Sequence, residues 1–296
     1  MKDTIPFDQR YVLCADIGGS HITTAVCDLN NYSVIRSTLV RAELNSKSNA
    51  KLILNIWRDA LRRSMMSFHI PVGNLAFAMP GPFDYEKGIS YIKGLAKYES
   101  LFGLDIKAYL NHEFEIPANN IRFRNDAEAT ITGEVFAGAG RGVQNLIGIT
   151  LGTGFGSALF KEEKVSDLNW GSLPFKDSIA DDYHSTRWFL KNYFERTGLS
   201  ILGVKELALL ANDNTSARRL FNEFAQNLGD FLIERIDQSG AECLLICGNI
   251  AKAHKLFLPQ LNRRLNIEIR LAELGEEAAM IGAAALFKKE AESPLV

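Results

Sequence analysis

Four places in the chain put glycines or carboxylates at the end of an apolar run. Tyr11-Val-Leu-Cys-Ala-Asp16 runs into Gly18-Gly19-Ser20, and Leu146-Ile-Gly-Ile-Thr-Leu151 runs into Gly152-Thr153-Gly154. Glu242-Cys-Leu-Leu-Ile-Cys is followed by Gly248-Asn249, and Ile121-Arg-Phe-Arg leads to Asn125-Asp126. Glycine has no Cβ, so a turn built from it lets backbone N–H groups approach an anion closely. A carboxylate beside a phosphate is repelled unless a cation lies between them, and Asp16 so placed favours Mg²⁺ held through one carboxylate and waters. Asp126, at the end of a strand, is placed to accept a proton from an attacking hydroxyl, the general-base role in phosphoryl transfer. Plainer readings stand beside these. Gly18-Gly19 also reads as an ordinary hairpin turn, Asp126 as a helix N-cap, and Gly248 as a strand-to-helix joint of any α/β protein.

The elements that must position these residues follow from periodicity. Ile22-Thr-Thr-Ala-Val26 and Ser157-Ala-Leu-Phe160 return directly to strand character, so each of the first two glycine turns predicts a hairpin tip. Neither turn opens a helix and neither contains GxxxxGK[ST], which argues against dinucleotide-fold and P-loop phosphate sites there. Helical spacing covers 49–68, 106–114, 127–137, 185–196, 204–211 and 217–238, with strands interleaved at 74–78, 120–124 and 267–271. Ile250 to Phe257 reads as helical, and Pro80-Gly81-Pro82 reads as a sharp turn. Glu276 to Glu290 reads as a final helix whose small residues permit close packing, crossing back onto the first lobe. The chain is α/β, with two related lobes expected: 1–124 plus 276–296, and 125–275. A ligand cleft is expected between them.

Composition narrows the function classes. The 296 residues carry a formal charge of −2 and are 47% hydrophobic, so there is no bulk attraction for nucleic acid or an anionic membrane. No secretory leader or membrane-length apolar stretch is read, and a cytoplasmic location is expected. Cys14, Cys27, Cys243 and Cys247 sit singly in apolar strands with no CxxC pair, so neither a disulfide framework nor a structural zinc site is expected. The five histidines lack metal-ligand spacing. Only His21 falls near the expected phosphates.

Taken together, "DIGGS", "MPGPFD", "NDAEATITGE", "LGTGFGSAL", "CGN" and "EEAAMIGAAAL" resemble, in order, the motifs of the ROK family of sugar kinases and repressors, within the actin/hexokinase-like ATPase superfamily. The resemblance implies two lobes of RNase H-like, actin-like topology with a central interlobe cleft closing on ATP, Mg²⁺ and a sugar. It implies Asp126 as catalytic base, Asn125 as a contact to sugar hydroxyls and Asp16 as the carboxylate near the metal. Gly18, Gly19, Ser20, Gly152, Thr153 and Gly154 would line the phosphates, with Gly248 and Asn249 near adenosine.

The sugar side departs from the family pattern. In "NWGSLPFKDSIADDYHS", Asn169 stands at the family's Glu position, Ser172 at its His position, and Asp181 stands for the later sugar-contacting Glu. Lys97 falls where the family places a sugar-binding Asn, and the family's zinc cysteines have no counterparts. A site built around hydroxyls discriminates strongly when a partner is missing, so the sugar accepted should change or turnover should be lost. The leading expectation is an ATP-dependent, glucokinase-like sugar kinase; the alternative is a catalytically inactive sugar-binding sensor. Family repressors carry a DNA-binding domain ahead of the aspartate–glycine motif, where only fifteen residues precede Asp16, so no nucleic-acid partner is expected. A homodimer is compatible with the small-residue C-terminal helix.

Overall fold

The computed structural model of the chain describes residues 9–95 and 97–288. Two compact units divide the fold: the described residues up to Ala137 together with those from Glu276 onward, and Gly138–Gly275. The first break falls after Ala137 rather than at Arg124, because the helix that follows Asn125 packs with the first unit.

In chain order, the first unit contains β1 (Tyr11–Ile17), β2 (His21–Asp28), β3 (Ser33–Glu43), α1 (Ala50–Met66), β4 (Leu75–Met79), β5 (Phe83–Asp84), β6 (Ile89–Ser90), α2 (Ile106–Phe114), β7 (Ile121–Asn125) and α3 (Asp126–Ala137). Its main sheet has the order β3-β2-β1-β4-β7, antiparallel across β3-β2-β1 and parallel across β1-β4-β7. The continuous apolar run of β1 is explained by burial on both faces. Leu13, Ala15 and Ile17 join Ile53, Trp57 and Leu61 of α1 in one core, while the alternate residues Val12 and Cys14 are equally buried.

The second unit contains β8 (Asn145–Leu151), β9 (Phe155–Lys161), β10 (Lys164–Asp167), β11 (Pro174–Phe175), β12 (Ser178–Ile179), α4 (Ala180–Tyr183), α5 (Thr186–Thr197), α6 (Val204–Leu210), α7 (Thr215–Ser239), β13 (Cys243–Cys247), α8 (Leu258–Arg264) and β14 (Glu268–Leu271). Its sheet order, β10-β9-β8-β13-β14, repeats the first, with a hairpin, a third antiparallel strand and two parallel neighbours in the same sequence. Ile147, Ile149 and Leu151 pack with Phe221, Phe224, Leu228 and Phe231 of α7. The chain then returns to the first unit as α9 (Glu277–Ala284).

Beyond short elements that were not named, three differences from expectation stand out. β3 was not anticipated, because its alternation of exposed Arg36, Ser37, Leu39 and Arg41 with buried Val34, Thr38 and Val40 is interrupted where a bulge between Thr24 and Val26 shifts register. Residues 250–256 form a 3₁₀ helix broken at Ala253 rather than an α-helix. The last helix stops at Ala284 in a 3₁₀ turn, Ala285–Phe287, that brings the Leu286 carbonyl to the Arg122 guanidinium and the Phe287 ring beneath it; the expected remainder from 289 to 290 lies outside the described residues.

Close approach of α3 and α9 requires glycine twice. A Cβ on Gly133 would collide with the backbone of Ala278, and one on Gly282 with the carbonyl of Ala129. No helix among the described residues is long and apolar enough to cross a membrane.

Candidate active site

In the first unit, three parallel strands end side by side. Asp16 of β1 is in register with Ala78 of β4, and Met79 of β4 with Asn125 of β7, so Asp16, the Pro80-Gly81-Pro82 turn and Asn125-Asp126 share the C-terminal edge of one sheet. Sites gather at that edge in α/β proteins because the loops there are free to carry chemistry. Burial, with the Asp126 and Glu276 carboxylates adding to it against the pull of Arg41, pushes the Asp16 carboxyl up to about 7. That is the environment of an anionic cluster short of positive charge.

Asn125 is the helix cap. Its Oδ1 accepts from the N–H groups of Ala127 at 2.9 Å and Glu128 at 3.2 Å, while the Asp126 carboxylate accepts from the adjacent Ala127 N–H at 2.9 Å. The capping role considered for Asp126 thus falls to its neighbour. The Asn125 Nδ2 donates to the Tyr85 hydroxyl at 3.1 Å, and that hydroxyl donates to the Met79 carbonyl at 3.1 Å.

The β1–β2 tip is held from several sides. Gly18 N–H donates to the His21 carbonyl at 2.9 Å, and the Gly18 carbonyl accepts the hydroxyl of buried Tyr98. The Leu44 N–H bonds Ser20 O at 3.0 Å. A Cβ on Gly18 would meet the His21 imidazole at 2.8 Å, yet one on Gly19 would meet nothing within 4 Å. Gly19 is therefore required neither by packing nor by a positive φ. Arg41 at the end of β3 pairs with Glu276 at 2.6 Å, and burial together with Arg41 lowers the His21 pKa. Lys97 immediately precedes Tyr98, whose N–H bonds Ser46 O at 2.7 Å.

The second unit builds its own tip. Gly152 N–H donates to Gly154 O at 3.0 Å, and Thr186 holds the Gly152 carbonyl through both its N–H (2.8 Å) and its hydroxyl (2.9 Å). Thr153 stands between them at the apex, and Gly152, like Gly19, faces open space. Gly248 lies at φ +91°, its Cα face against the Leu151 carbonyl, so the third glycine backs directly onto the hairpin. Asn249 is exposed and its Oδ1 accepts from Lys252 Nζ at 2.8 Å.

The expected sugar-side residues of this unit have local partners. Asp181 accepts the Phe155 N–H at 2.5 Å through one oxygen and pairs with Arg187 through the other. Exposed Asn169 sits at φ +48° and its carbonyl accepts the Ser172 hydroxyl at 3.0 Å, forming a local turn. Glu276 was read only as the start of the final helix and its motif, and Tyr85, Tyr98, Arg41 and Arg187 were not singled out from sequence. Each of these four reaches the site from a distant segment or a different element, and was given no role from sequence.

The ROK family model matches residues 12–171, more than half of the chain. The chain belongs to the ROK family. ROK sugar kinases lie within the actin/hexokinase-like ATPase superfamily and share this two-lobed α/β fold. The chain is similar to a glucokinase of Halalkalibacterium halodurans, 23% identical with 96% of this chain and 97% of that protein covered. Among solved structures it is similar to a ROK family glucokinase from Streptomyces griseus in complex with glucose and AMPPNP (TM-score 0.77, 19% identity, 93% of this chain and 98% of that one). It is also similar to a ROK family transcriptional regulator described as a homologue of the E. coli MLC protein (TM-score 0.76, 14% identity, 94% and 78%).

Proposed function

We propose that this ROK protein is a cytoplasmic ATP-dependent sugar kinase that transfers the γ-phosphoryl group of ATP to a hydroxyl of a hexose or related sugar. The observation that carries the reading is the shared strand edge of Asp16, Asn125 and Asp126, where the Asp126 carboxylate sits close enough to raise the proton affinity of Asp16. A structural ion-pair network would balance such charges; here the principal cation nearby, Arg41, is engaged by Glu276.

The residues fit a magnesium nucleotide. Asp16 at the strand edge offers one carboxylate for Mg²⁺, with waters and phosphate oxygens completing its shell. When bound, the ion neutralises charge on the phosphates. Gly19 and Gly152 leave bare backbone at two hairpin tips, with Gly18, Ser20, Thr153 and Gly154 alongside, as phosphate donors require. Gly248 and Asn249 are assigned to the adenosine side, and Asn125 and Lys97 to the sugar.

Asp126 then acts as general base. It takes the proton of the attacking hydroxyl at its carboxylate while backbone donors stabilise the transferring group. Asn169, Ser172 and Asp181 are assigned to the sugar side with altered preference, since their polar atoms already serve one another or the hairpin. The test is ADP release over a sugar panel. Turnover with at least one sugar, falling by about 10²–10⁴-fold in Asp126→Asn, is expected.

A second reading, a sugar-binding sensor without turnover, is favoured by one observation. Each Asp181 oxygen already accepts one bond within the second unit, so part of the capacity of a bidentate hydroxyl acceptor is spent there. Sugar binding with no ADP release from any sugar would select it.

A further inference from the structure

We propose that Tyr85 is a positioning residue for substrate recognition, fixing the Asn125 amide so that its one uncommitted N–H faces the sugar. The inference rests on the sugar-binding role proposed for Asn125. Three hydrogen bonds dictate the orientation by elimination. The Asn125 Oδ1 accepts two backbone N–H groups at the start of α3, a duty the amide nitrogen is unable to perform, so Nδ2 must face the other way. The Tyr85 hydroxyl has one proton, given to the Met79 carbonyl, so towards Asn125 it acts as acceptor. The chain of donation therefore runs in one direction, from Asn125 Nδ2 through the Tyr85 hydroxyl to Met79 O. One hydrogen of Nδ2 is used and one is left.

The cap alone sets which end of the amide is oxygen. The tyrosine contact adds the plane of the amide, and with it the direction of the remaining N–H. Tyr85 is itself held: its ring packs on Phe83 at 5.4 Å, and Phe83 on Phe123 of β7 at 5.1 Å. Gly81 leaves room for the hydroxyl, since a Cβ there would stand 3.1 Å from it. Met79 and Asn125 are register partners on β4 and β7, so the tyrosine clips together two strand ends that must stay aligned for Asn125 and Asp126 to act on one hydroxyl. A sugar oxygen acting as acceptor is the ligand group this arrangement selects.

The experiment measures sugar affinity by calorimetry and sugar and ATP KM by ADP release, in the wild type, Tyr85→Phe, Asn125→Asp and the double variant. Asn125→Asp retains a capping oxygen and removes the N–H donor. Tyr85→Phe is expected to weaken sugar binding and raise sugar KM by about tenfold, with ATP KM unchanged. In the Asn125→Asp background the same substitution is expected to add nothing, because the group it orients is gone. Gly81→Ala, which crowds the hydroxyl while leaving the ring in place, is expected to shift sugar KM in the same direction by a smaller factor. It supplies the test should Tyr85→Phe melt well below the wild type.

A wild-type sugar affinity in Tyr85→Phe, or a loss that persists undiminished in the double variant, overturns the inference. Sugar binding without turnover in the wild type defeats the kinase reading alone, and the calorimetric comparison still decides the role of Tyr85. Absence of sugar binding by the wild type removes both.

Discussion

Gly19, Gly152 and Gly248 all sit at strand ends, but their backbones differ. Alanine at Gly19 or Gly152 meets no neighbour and no forbidden φ, so its cost in folding should stay within about 0.5 kcal/mol. If those tips hold phosphate, the same substitutions should raise ATP KM severalfold, checked by kinetics alongside melting. Gly248→Ala instead places a Cβ against the Leu151 carbonyl at φ +91° and should cost about 1–3 kcal/mol, read by urea unfolding. His184 provides a second expectation at this scale. It is enclosed by Phe155, Phe175, Phe224 and Phe231, and burial pushes its pKa down to about 4. The unfolded chain, with an ordinary histidine, binds more protons between about pH 4 and 6.5. Stability of the second unit should therefore rise with pH across that window, and His184→Phe should flatten the rise in pH-resolved melting. The placement of Asp16, Asn125, Asp126 and the tip glycines at strand ends was legible in the sequence, because each lies beside the strand that presents it. Tyr85 and Tyr98 were not, because Tyr85 reaches Asn125 across 40 positions and Tyr98 reaches Gly18 across 80. Capping at Asn125 rather than Asp126 was a one-residue matter that only backbone geometry decides.

Strands and helices were recovered where apolar period was strong, as in β1, α2 and α7, and missed where the edge of a sheet meets water, as in β3. The small-residue pattern of the final helix was legible as close packing, but its partner was not. That partner is α3, and the consequence is measurable. Gly282→Ala would drive a methyl into the Ala129 carbonyl, where neither helix has a side chain that can yield, so a loss of more than about 3 kcal/mol is expected in denaturant unfolding. The exposed ion pairs Arg36–Glu277 and Arg41–Glu276, which join β3 to the beginning of the same helix, should contribute little by comparison. Arg36→Gln should change stability by less than about 1 kcal/mol. Packing, not charge, holds this junction.

At the scale of the molecule, the repeated sheet order explains why two glycine-tipped hairpins recur in one chain: each unit has the same strand sequence, and the tip occupies the same place in it. Self-similarity of the apolar strands made the pair visible, whereas the break after Ala137 depends on helix contacts that periodicity does not encode. Each unit has a core of its own, so unfolding need not be a single step. The tryptophans are distributed to report this. Trp57 is fully buried in the first unit, between Phe77 and Tyr98, while Trp170 and Trp188 belong to the second. Because the hydroxyl of the ring beside Trp57 is tied to the Gly18 carbonyl, nucleotide held at the β1–β2 tip as proposed should alter Trp57 emission, and replacing the other two indoles with phenylalanine would leave the protein carrying its own optical gauge of occupancy.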